Sequence, residues 1–336
     1  MSERASGPVI AVVGATGHTG RFVVMELIRR GLKPIAITRN TAALAAADFE
    51  SHGAITRQAT VEDAASLDKA LHGAKVVINC AGPFADTANA VAAAAVRAKI
   101  HYVDVCAEQA ATKETLDTFD HSARQVNIAI VPAMAFFGGL GELLAVAALG
   151  DWNEADSIDI LIGLDSWHPT PGSRNTIDKK GNLVVIGGKL VPMLKPVYKQ
   201  WKFEEPIGDQ TVVEVPFSET ILISRHIKVA EIHNYLSQIA VNDVLNETTP
   251  APKAVDDMGR SAQRFVVEVV VTRDGKQRKS SVRGQDSYAI SAPLSCEAAE
   301  RLLQGRCIST GAHTPGEIFD ASEFLEALDF GYSVFK

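Results

Sequence analysis

Short apolar runs alternate with amphipathic segments along the first 150 residues. The apolar runs predict strands at residues 8–13, 35–37, 54–58, 76–78, 102–105 and 128–131. The segments between them place apolar residues three or four positions apart, which is typical of helices. They predict helices from Phe22 to near Gly31, over 41–52, around Leu67 and Leu71, over 87–99 and over 112–125. Strands and helices that alternate at this spacing form βαβ units and a parallel sheet.

The pattern changes after about residue 151, where strand-like segments are separated by Gly, Pro and Asn. Strands are predicted at residues 158–164, 183–186, 211–215 and 221–224, and a hairpin joins 264–272 to 276–282 through Asp274-Gly275. Ser295 is predicted to cap a helix that ends at Gly305, and a last helix covers 321–328.

These patterns predict an α/β protein with two sheets. We expect a doubly wound Rossmann domain over residues 1–150 and a second, mixed-sheet α+β domain over 151–285 for substrate binding or dimerisation. Residues 286–336 are expected to form C-terminal helices that return to the first domain. Because a mixed sheet can pair across a two-fold axis, we expect a homodimer.

Composition and charge exclude several classes of protein. Of the 336 residues, 46% are apolar and 22% are charged, as in ordinary soluble domains. The net charge is −7 and the basic residues are scattered, so we expect no nucleic-acid partner. The apolar stretch 128–150 contains Glu142 and is interrupted by Pro132 and three glycines. This favours a strand, a loop and a buried helix over a membrane span, and we expect no membrane partner.

The four cysteines, Cys80, Cys106, Cys296 and Cys307, have neither paired nor metal-ligand spacing. This usage is typical of free thiols in a reducing compartment, so we expect a cytoplasmic protein without a bound metal. The polar N-terminus does not resemble a secretory leader.

The glycines at positions 14, 17 and 20 lie between the first predicted strand and its helix, in a Gly-x-x-Gly-x-x-Gly loop that also contains Thr16, His18 and Thr19. This context is that of a dinucleotide-binding loop. Gly14 permits a sharp turn, Gly17 lets the backbone approach a pyrophosphate, and Gly20 lets the helix pack closely on the sheet. The helix N-terminus supplies N–H groups and partial positive charge to the phosphates.

The end of the second strand indicates which dinucleotide is bound. NAD-preferring sites usually carry an acid there, about 20 residues after the loop. This chain has Thr38-Arg39-Asn40 instead. Arg39 can bind a 2′-phosphate in a bidentate manner, so we expect NADP(H) as the cofactor.

Two further segments contain residues that could take part in cofactor binding or catalysis. Residues 79–84, Asn-Cys-Ala-Gly-Pro-Phe, follow the fourth strand, where backbone can approach a cofactor; Cys80 is expected to be a buried filler rather than a nucleophile. Tyr198 and Lys202 have the spacing of a short-chain dehydrogenase pair, but the flanking prolines argue against the helix that such a pair requires.

Several segments together resemble the saccharopine dehydrogenase-like family of NADP-binding oxidoreductases. They are residues 12–21, 79–84, 101–108, 284–289 with the helix that follows, and 314–320. The resemblance covers both ends of the chain and is thin from about 152 to 260. Cys106-Ala107 replaces a more usual Ser/Thr-Gly pair, and residues 135–139 depart from the pattern of enoyl reductase-like members.

The resemblance implies which residues bind the cofactor. Gly14, Thr16, Gly17, Thr19, Gly20, Arg39 and Asn40 would bind it, together with His18 of the same loop and Cys80 of the next. Ala81, Gly82 and Pro83 would line its nicotinamide side. Asp104 and Glu108 match the acidic positions of the family.

Reduction of a double bond needs a proton as well as a hydride. Tyr102, Asp104 and Glu108 lie at the end of the fifth strand and are the candidate proton donors, with Glu108 the first choice. The polar segment 167–176 is predicted to be a loop that brings His168 and Arg174 to an acidic substrate.

We therefore interpret the sequence as an NADP(H)-dependent oxidoreductase that transfers hydride to a small polar or imine-type substrate at the cleft between its domains. An enoyl or carbonyl reductase is the first alternative. A regulator that senses NADP(H) without turning it over is the second.

Overall fold

The computed structural model describes residues 7–176, 182–328 and 330–335. The chain forms two compact units, each assembled from several stretches. The first consists of residues 1–106, 113–135 and 291–313, and the second of 107–112, 136–290 and 314–336. The second unit thus starts near residue 136 instead of 151, and the C-terminal stretch 286–336 is divided between the units instead of joining the first as a whole.

The elements follow the chain in this order. The strands are β1 Val9–Val13, β2 Lys33–Thr38, β3 Ile55–Gln58, β4 Val76–Asn79, β5 His101–Asp104, β6 Ala129–Val131, β7 Glu154–Leu164, β8 Leu183–Ile186, β9 Lys189–Pro192, β10 Tyr198–Lys202, β11 Asp209–Glu214, β12 Lys228–Ser237, β13 Arg264–Arg273, β14 Lys276–Gln285, β15 Gly311–Ala312 and β16 Ser333–Phe335. The helices are α1 His18–Arg29, α2 Thr41–Ala47, α3 Ala64–Leu71, α4 Phe84–Ala98, α5 Gln109–Gln125, α6 Gly139–Leu149, α7 Pro171–Thr176, α8 Ser218–His226, α9 Gln238–Leu245, α10 Ser291–Leu303, α11 Pro315–Ile318 and α12 Ala321–Ala327, with a 3₁₀ turn at Phe49–His52.

The first unit is built on a parallel sheet, as predicted. Its strand order is β15-β6-β5-β4-β1-β2-β3, and each neighbouring pair is parallel. The strands are nearly continuous apolar runs because helices cover both faces; Val12 and Ile78, for example, are fully buried. The chain leaves β1 toward β2 on one side and later returns to β4 on the other, so the strand order reverses between β1 and β4. Open α/β sheets bind ligands at such a reversal.

The second unit contains the predicted mixed sheet. Its main path runs β10-β11-β12-β7-β13-β14-β16, with β8 and β9 joined to β12. β7 and β12 are parallel, and the other neighbours are antiparallel. Asp274 and Gly275 both have positive φ, at 50° and 72°, in the tight turn between β13 and β14. This geometry is that of the predicted two-residue hairpin turn.

Three local predictions were wrong. Residues 221–224 were predicted as a strand but lie in α8, because a short apolar run does not distinguish a strand from a buried helix. Ser295 does not cap its helix: α10 begins at Ser291, and the Ser295 hydroxyl donates to Ser291 O at 2.8 Å. The segment predicted as a loop at 167–176 contains the short helix α7.

The apolar stretch 128–150 forms the predicted strand, loop and helix, as β6 and α6. In the described ranges, no helix combines the length and apolar character needed to cross a membrane.

Candidate functional site

The loop of residues 14–20 turns back onto the end of β2. Gly14 N–H donates to Ile37 O at 3.0 Å, which anchors the start of the loop to the neighbouring strand. Thr16 Oγ1 lies 3.1 Å from Thr38 Oγ1 at the carboxyl end of β2. These bonds place the loop at the carboxyl edge of the parallel sheet, which is where ligands bind.

The N-terminus of α1 faces this loop. The first helical bond runs from Arg21 N–H to Gly17 O at 3.0 Å. Thr19 and Gly20 therefore contribute amides of the first turn, which have no carbonyl acceptor within the helix. These amides and the helix dipole favour an anionic group, such as a phosphate, at this position.

Two of the three glycines are required by close contacts. Gly14 has φ of +77°, and a Cβ there would lie 2.8 Å from Ala81 N. A Cβ on Gly20 would overlap Gly14 O. Gly17 has an ordinary φ of −67°, and only Gly14 O, at 3.2 Å, is close to its missing Cβ. Its exposed backbone leaves room for a ligand to approach.

The loop after β4 lies directly beside Gly14. Asn79 is fully buried, and its Oδ1 accepts from Ala81 N–H at 3.1 Å. Thr87 Oγ1 donates to Ala81 O from the first turn of α4. The side chains of Asn79 and Thr87 thus fix the backbone of Ala81 against the dinucleotide loop. Burial, and then the charge of Asp104, raises the pKa of the Cys80 thiol, which is consistent with a filler and not with a nucleophile.

Tyr102 and Asp104 are fully buried and link the end of β5 to the segments after β5 and β6. The Tyr102 hydroxyl donates to Asp104 Oδ2 at 2.7 Å, and Asp104 Oδ1 accepts from Cys106 N–H at 2.9 Å and Ala133 N–H at 2.7 Å. Burial and the Asp104 charge raise the pKa of Tyr102 well above its usual value. Their buried hydrogen bonds hold the backbone at the end of β5.

Arg39 and Asn40 differ in what their side chains do. The Asn40 Oδ1 caps α2 by accepting from Ala43 N–H at 3.0 Å, so this oxygen has a structural role. Arg39 is exposed at the end of β2 and forms no ion pair with any carboxylate in the described part of the chain. Its guanidinium is available to a phosphate.

Glu108 immediately precedes α5, in the second unit. Its carbonyl accepts from Thr112 N–H at 3.0 Å in the first turn. The next residue, Gln109, is clamped: its Nε2 donates to Leu183 O at 2.9 Å and Phe217 O at 3.0 Å, and its Oε1 accepts from Leu183 N–H at 2.8 Å. The backbone that presents Glu108 is therefore held by β8 and by the start of α8.

Arg174 does not have the geometry predicted for substrate recognition. Its guanidinium donates to the carbonyls of Val244 at 3.0 Å, Asn246 at 3.2 Å and Thr249 at 2.8 Å, at and beyond the C-terminus of α9. Three carbonyl partners give it a structural role. His168, the other predicted substrate ligand, is partly exposed in the same segment.

A buried acidic cluster in the second unit was not predicted from the sequence. Glu142 of α6 and Glu219 of α8 are fully buried, and Glu142 Oε1 lies 2.7 Å from His226 Nε2. Burial, with a contribution from the charge of Glu142, raises the pKa of Glu219 to about 8. A glutamate within an apolar run was the signal that could have revealed it. Over the described ranges, no group of three or more His, Cys, Asp or Glu residues is arranged to hold a metal ion.

The structure brings the predicted cofactor residues to one edge of the sheet. They lie on three loops: Gly14, Thr16, Gly17, His18, Thr19 and Gly20 after β1, Arg39 and Asn40 after β2, and Cys80, Ala81, Gly82 and Pro83 after β4. The fold and this edge define a dinucleotide-binding protein of the Rossmann class.

Residues 10–131 match the saccharopine dehydrogenase NADP binding domain family. This stretch of the chain is therefore a saccharopine dehydrogenase-type NADP-binding domain, and NADP(H) is its cofactor. No curated protein sequence matches the chain significantly.

Three solved structures are similar to the chain to different degrees. Saccharopine dehydrogenase (L-glutamate-forming) from Saccharomyces cerevisiae is 14% identical with a TM-score of 0.69, and the match covers 98% of this chain and 100% of that chain. Serine dehydrogenase from Escherichia coli matches 37% of this chain and 80% of its own, with 14% identity and a TM-score of 0.31. Leucoanthocyanidin reductase from Vitis vinifera, in complex with NADPH, matches 30% of this chain and 37% of its own, with 18% identity and a TM-score of 0.27. The first match shows a shared fold.

The local geometry fits NADP(H). The close approach of Gly14 to Ala81 and of Gly20 to Gly14 leaves no space for side chains in the turn. The amides of Thr19 and Gly20 suit the pyrophosphate, and Arg39 suits a 2′-phosphate.

Proposed function

We propose that the protein is an NADP(H)-dependent reductase that acts on a polarised C=N, C=O or C=C bond of a small organic substrate. The observation that carries this proposal is the dinucleotide loop, held against Ala81 where the strand order reverses, within a domain of the NADP-binding family. Arg174 is bound to backbone carbonyls and therefore gives no support for an acidic substrate. Only the family resemblance supports an imine-type substrate.

When bound, NADPH supplies a hydride to the double bond and leaves as NADP⁺. The second atom of that bond needs a proton, which we assign to the Glu108 carboxyl group. Gln109 restrains the backbone that carries Glu108, so the carboxyl group is presented from a fixed helix start. Asp104 and Tyr102 fix the backbone at the end of β5 by hydrogen bonds, and in this proposal they position the site without donating the proton.

Glu108→Gln should lower turnover by about 100-fold or more, because general acids contribute roughly 10²- to 10⁴-fold. The affinity for NADPH should not change, since the loops that fit the cofactor follow β1, β2 and β4 and do not include Glu108. NADPH oxidation measured with carbonyl, imine and enoyl compounds tests this, with the exposed Glu114→Gln in α5 as a control. Full activity in Glu108→Gln would assign the proton to another group. NADPH binding without oxidation in the parent protein would instead indicate a sensor.

Arg39→Ala should weaken NADPH binding about 10- to 100-fold and leave NADH binding almost unchanged, because a charged hydrogen bond contributes roughly 1.5–3 kcal/mol. Fluorescence titration with both cofactors measures the two dissociation constants. Lys33→Ala is the matched control, since Lys33 is an exposed cation at the opposite end of β2. Equal losses of affinity for NADPH and NADH would show that Arg39 does not bind the 2′-phosphate.

A further inference from the structure

A set of buried polar groups connects three segments at the carboxyl edge of the parallel sheet. It leads from Asp104, at the end of β5, through Tyr102 and Asn79 to the Ala81 backbone in the loop after β4. Thr87, in the first turn of α4, contacts both Asn79 and Ala81. All five residues belong to the first unit, and Asp104, Tyr102 and Asn79 are fully buried. We call these five residues the buried network.

The hydrogen bonds of the buried network have a defined direction. The Tyr102 hydroxyl donates its single proton to Asp104 Oδ2 at 2.7 Å, so only its lone pairs remain for Asn79. Burial and the charge of Asp104 raise the pKa of Tyr102, so the hydroxyl keeps this proton. The Thr87 hydroxyl donates its proton to Ala81 O. Both hydroxyls therefore act as acceptors toward Asn79.

This direction determines how the Asn79 amide is oriented. Its Nδ2, which can only donate, lies 3.5 Å from Tyr102 Oη and 3.5 Å from Thr87 Oγ1. Its Oδ1, which can only accept, binds the Ala81 N–H at 3.1 Å. Rotating the amide end for end would set donor against donor at Ala81 and acceptor against acceptor at the two hydroxyls. Asp104 therefore selects the orientation of Asn79 through the hydroxyl that lies between them.

Ala81 is the residue at which the buried network meets the dinucleotide loop. A Cβ on Gly14 would lie 2.8 Å from Ala81 N, which is the atom that Asn79 binds. The strand order β4-β1-β2 places Ala81 and Arg39 on opposite sides of that loop. Because Arg39 suits the 2′-phosphate of the adenosine half, the nicotinamide half extends toward Ala81. The next residue, Gly82, is exposed and offers its backbone to that half.

We propose that Asn79 is a positioning residue for the nicotinamide half of NADP(H), and that Asp104 acts on it through the hydroxyl of Tyr102. The buried network holds the Ala81 backbone in the conformation that the cofactor contacts, so that binding does not have to order it. The proposal concerns cofactor binding and is independent of the reaction. The binding measurements below therefore apply whether the protein is a reductase or a sensor.

Asp104→Asn should weaken NADPH binding about tenfold, because it reverses the direction of the network with almost no change in size. The new amide oxygen can accept from the two backbone N–H groups that Asp104 Oδ1 binds, and the amide nitrogen then donates to the Tyr102 hydroxyl. That hydroxyl must donate toward Asn79, whose amide rotates and leaves the Ala81 N–H without its acceptor. Loss of a negative charge alone would instead strengthen the binding of an anionic cofactor.

A second substitution separates this mechanism from a general loss of structure. Adding Tyr102→Phe to Asp104→Asn removes the hydroxyl that transmits the reversed direction, so the Asn79 oxygen can stay on the Ala81 N–H. NADPH affinity of the double variant should return to within about threefold of the parent value. If the two residues only supported the fold, the losses from the two substitutions would add.

Calorimetric titration with NADPH and with adenosine 2′,5′-bisphosphate distinguishes the two halves of the cofactor, at a temperature where thermal unfolding shows each variant to be folded. The bisphosphate lacks the nicotinamide half and should bind equally to the parent protein and to Asp104→Asn. The exposed Asp117→Asn in α5 is the matched control and should bind both ligands as the parent does.

Asn79→Ser tests the same step without altering Asp104, should Asp104→Asn fail to fold. The shorter side chain breaks the bond to the Ala81 N–H, so NADPH binding should weaken about tenfold and bisphosphate binding should stay unchanged. The proposal is overturned if either single variant binds NADPH normally or loses the bisphosphate to the same extent. It is also overturned if Tyr102→Phe deepens the loss caused by Asp104→Asn instead of reversing it.

Discussion

Glu219→Gln should make the protein more stable than the parent protein at pH 8.5 and should remove most of the decline in stability between pH 5 and pH 8. Burial raises the pKa of Glu219 from 4.5 to about 8 in the folded protein. The unfolded chain therefore releases this proton near pH 4.5, whereas the folded protein retains it to about pH 8. Stability falls over that window by at most about 1.4 kcal/mol per pH unit, or about 5 kcal/mol in all.

The neighbouring His226 also makes the stability of the folded protein fall as pH rises. Glu219 faces Glu142 of α6, and His226 of α8 faces both Glu142 and Glu317 of α11. Burial lowers the pKa of His226, but the hydrogen bond and charge of Glu142 outweigh it and raise the pKa above 6.5. The stabilisation from protonated His226 is present below pH 6.5 and is lost as pH rises through the raised value. Glu219→Gln should keep this smaller part of the pH dependence.

Urea unfolding at half-unit intervals from pH 5 to pH 9 measures both parts. Glutamine resembles the protonated acid, so the fold should be preserved. The exposed Glu247→Gln serves as the control and should follow the parent curve. If Glu219→Gln and the parent protein give parallel curves across this range, Glu219 is ionised in the folded protein and our account of its environment is wrong.

Gly14→Ala should abolish measurable NADPH binding and destabilise the first unit by about 2–4 kcal/mol, whereas Gly31→Ala should cost only about 1 kcal/mol and leave binding intact. Both glycines have left-handed backbones, with φ of +77° and +74°. They differ in their surroundings. A Cβ on Gly14 would lie 2.8 Å from Ala81 N, and a Cβ on Gly31 has no atom within 4 Å.

Comparing the two variants separates the effect of the steric contact with Ala81 from the effect of backbone strain, because both variants carry the same strain. Thermal unfolding and NADPH titration on both proteins provide the readouts. Equal losses of stability would mean that backbone strain alone requires glycine at position 14. Normal NADPH binding in Gly14→Ala would show that the close contact between Gly14 and Ala81 is not needed for cofactor binding.

Much of the first unit could be predicted because its signals are local. Buried parallel strands give uninterrupted apolar runs, and the glycine loop is a contiguous motif whose spacing follows from the turn itself. The second unit was harder to predict. Strand β12 mixes charged and apolar residues over Lys228–Ser237 and has no clean alternation. Helix α8 contains a short apolar run that fits either type of element.

The site predictions failed where long-range partners decide the role of a residue. Arg174 is a plausible substrate ligand in sequence, but its carbonyl partners are 70 or more positions further along the chain. In the sequence, Glu142 stands out only as a charged residue within an apolar stretch. Its pairing with His226, 84 positions later, is a property of the folded second unit.

The division of the chain into stretches has a consequence for its synthesis. The first unit includes α10, where Glu297 and Glu300 pair with Arg30 of the chain segment after α1. It also includes β15, which completes its sheet. During translation, the ribosome must therefore reach about residue 313 before these contacts can form. Until then, the edge strand β6 of the dinucleotide-binding unit has no neighbour on its outer side, although the first 135 residues have already been synthesised. Fragments that end before residue 313 should accordingly bind chaperones more readily than the 336-residue chain, because they expose that edge.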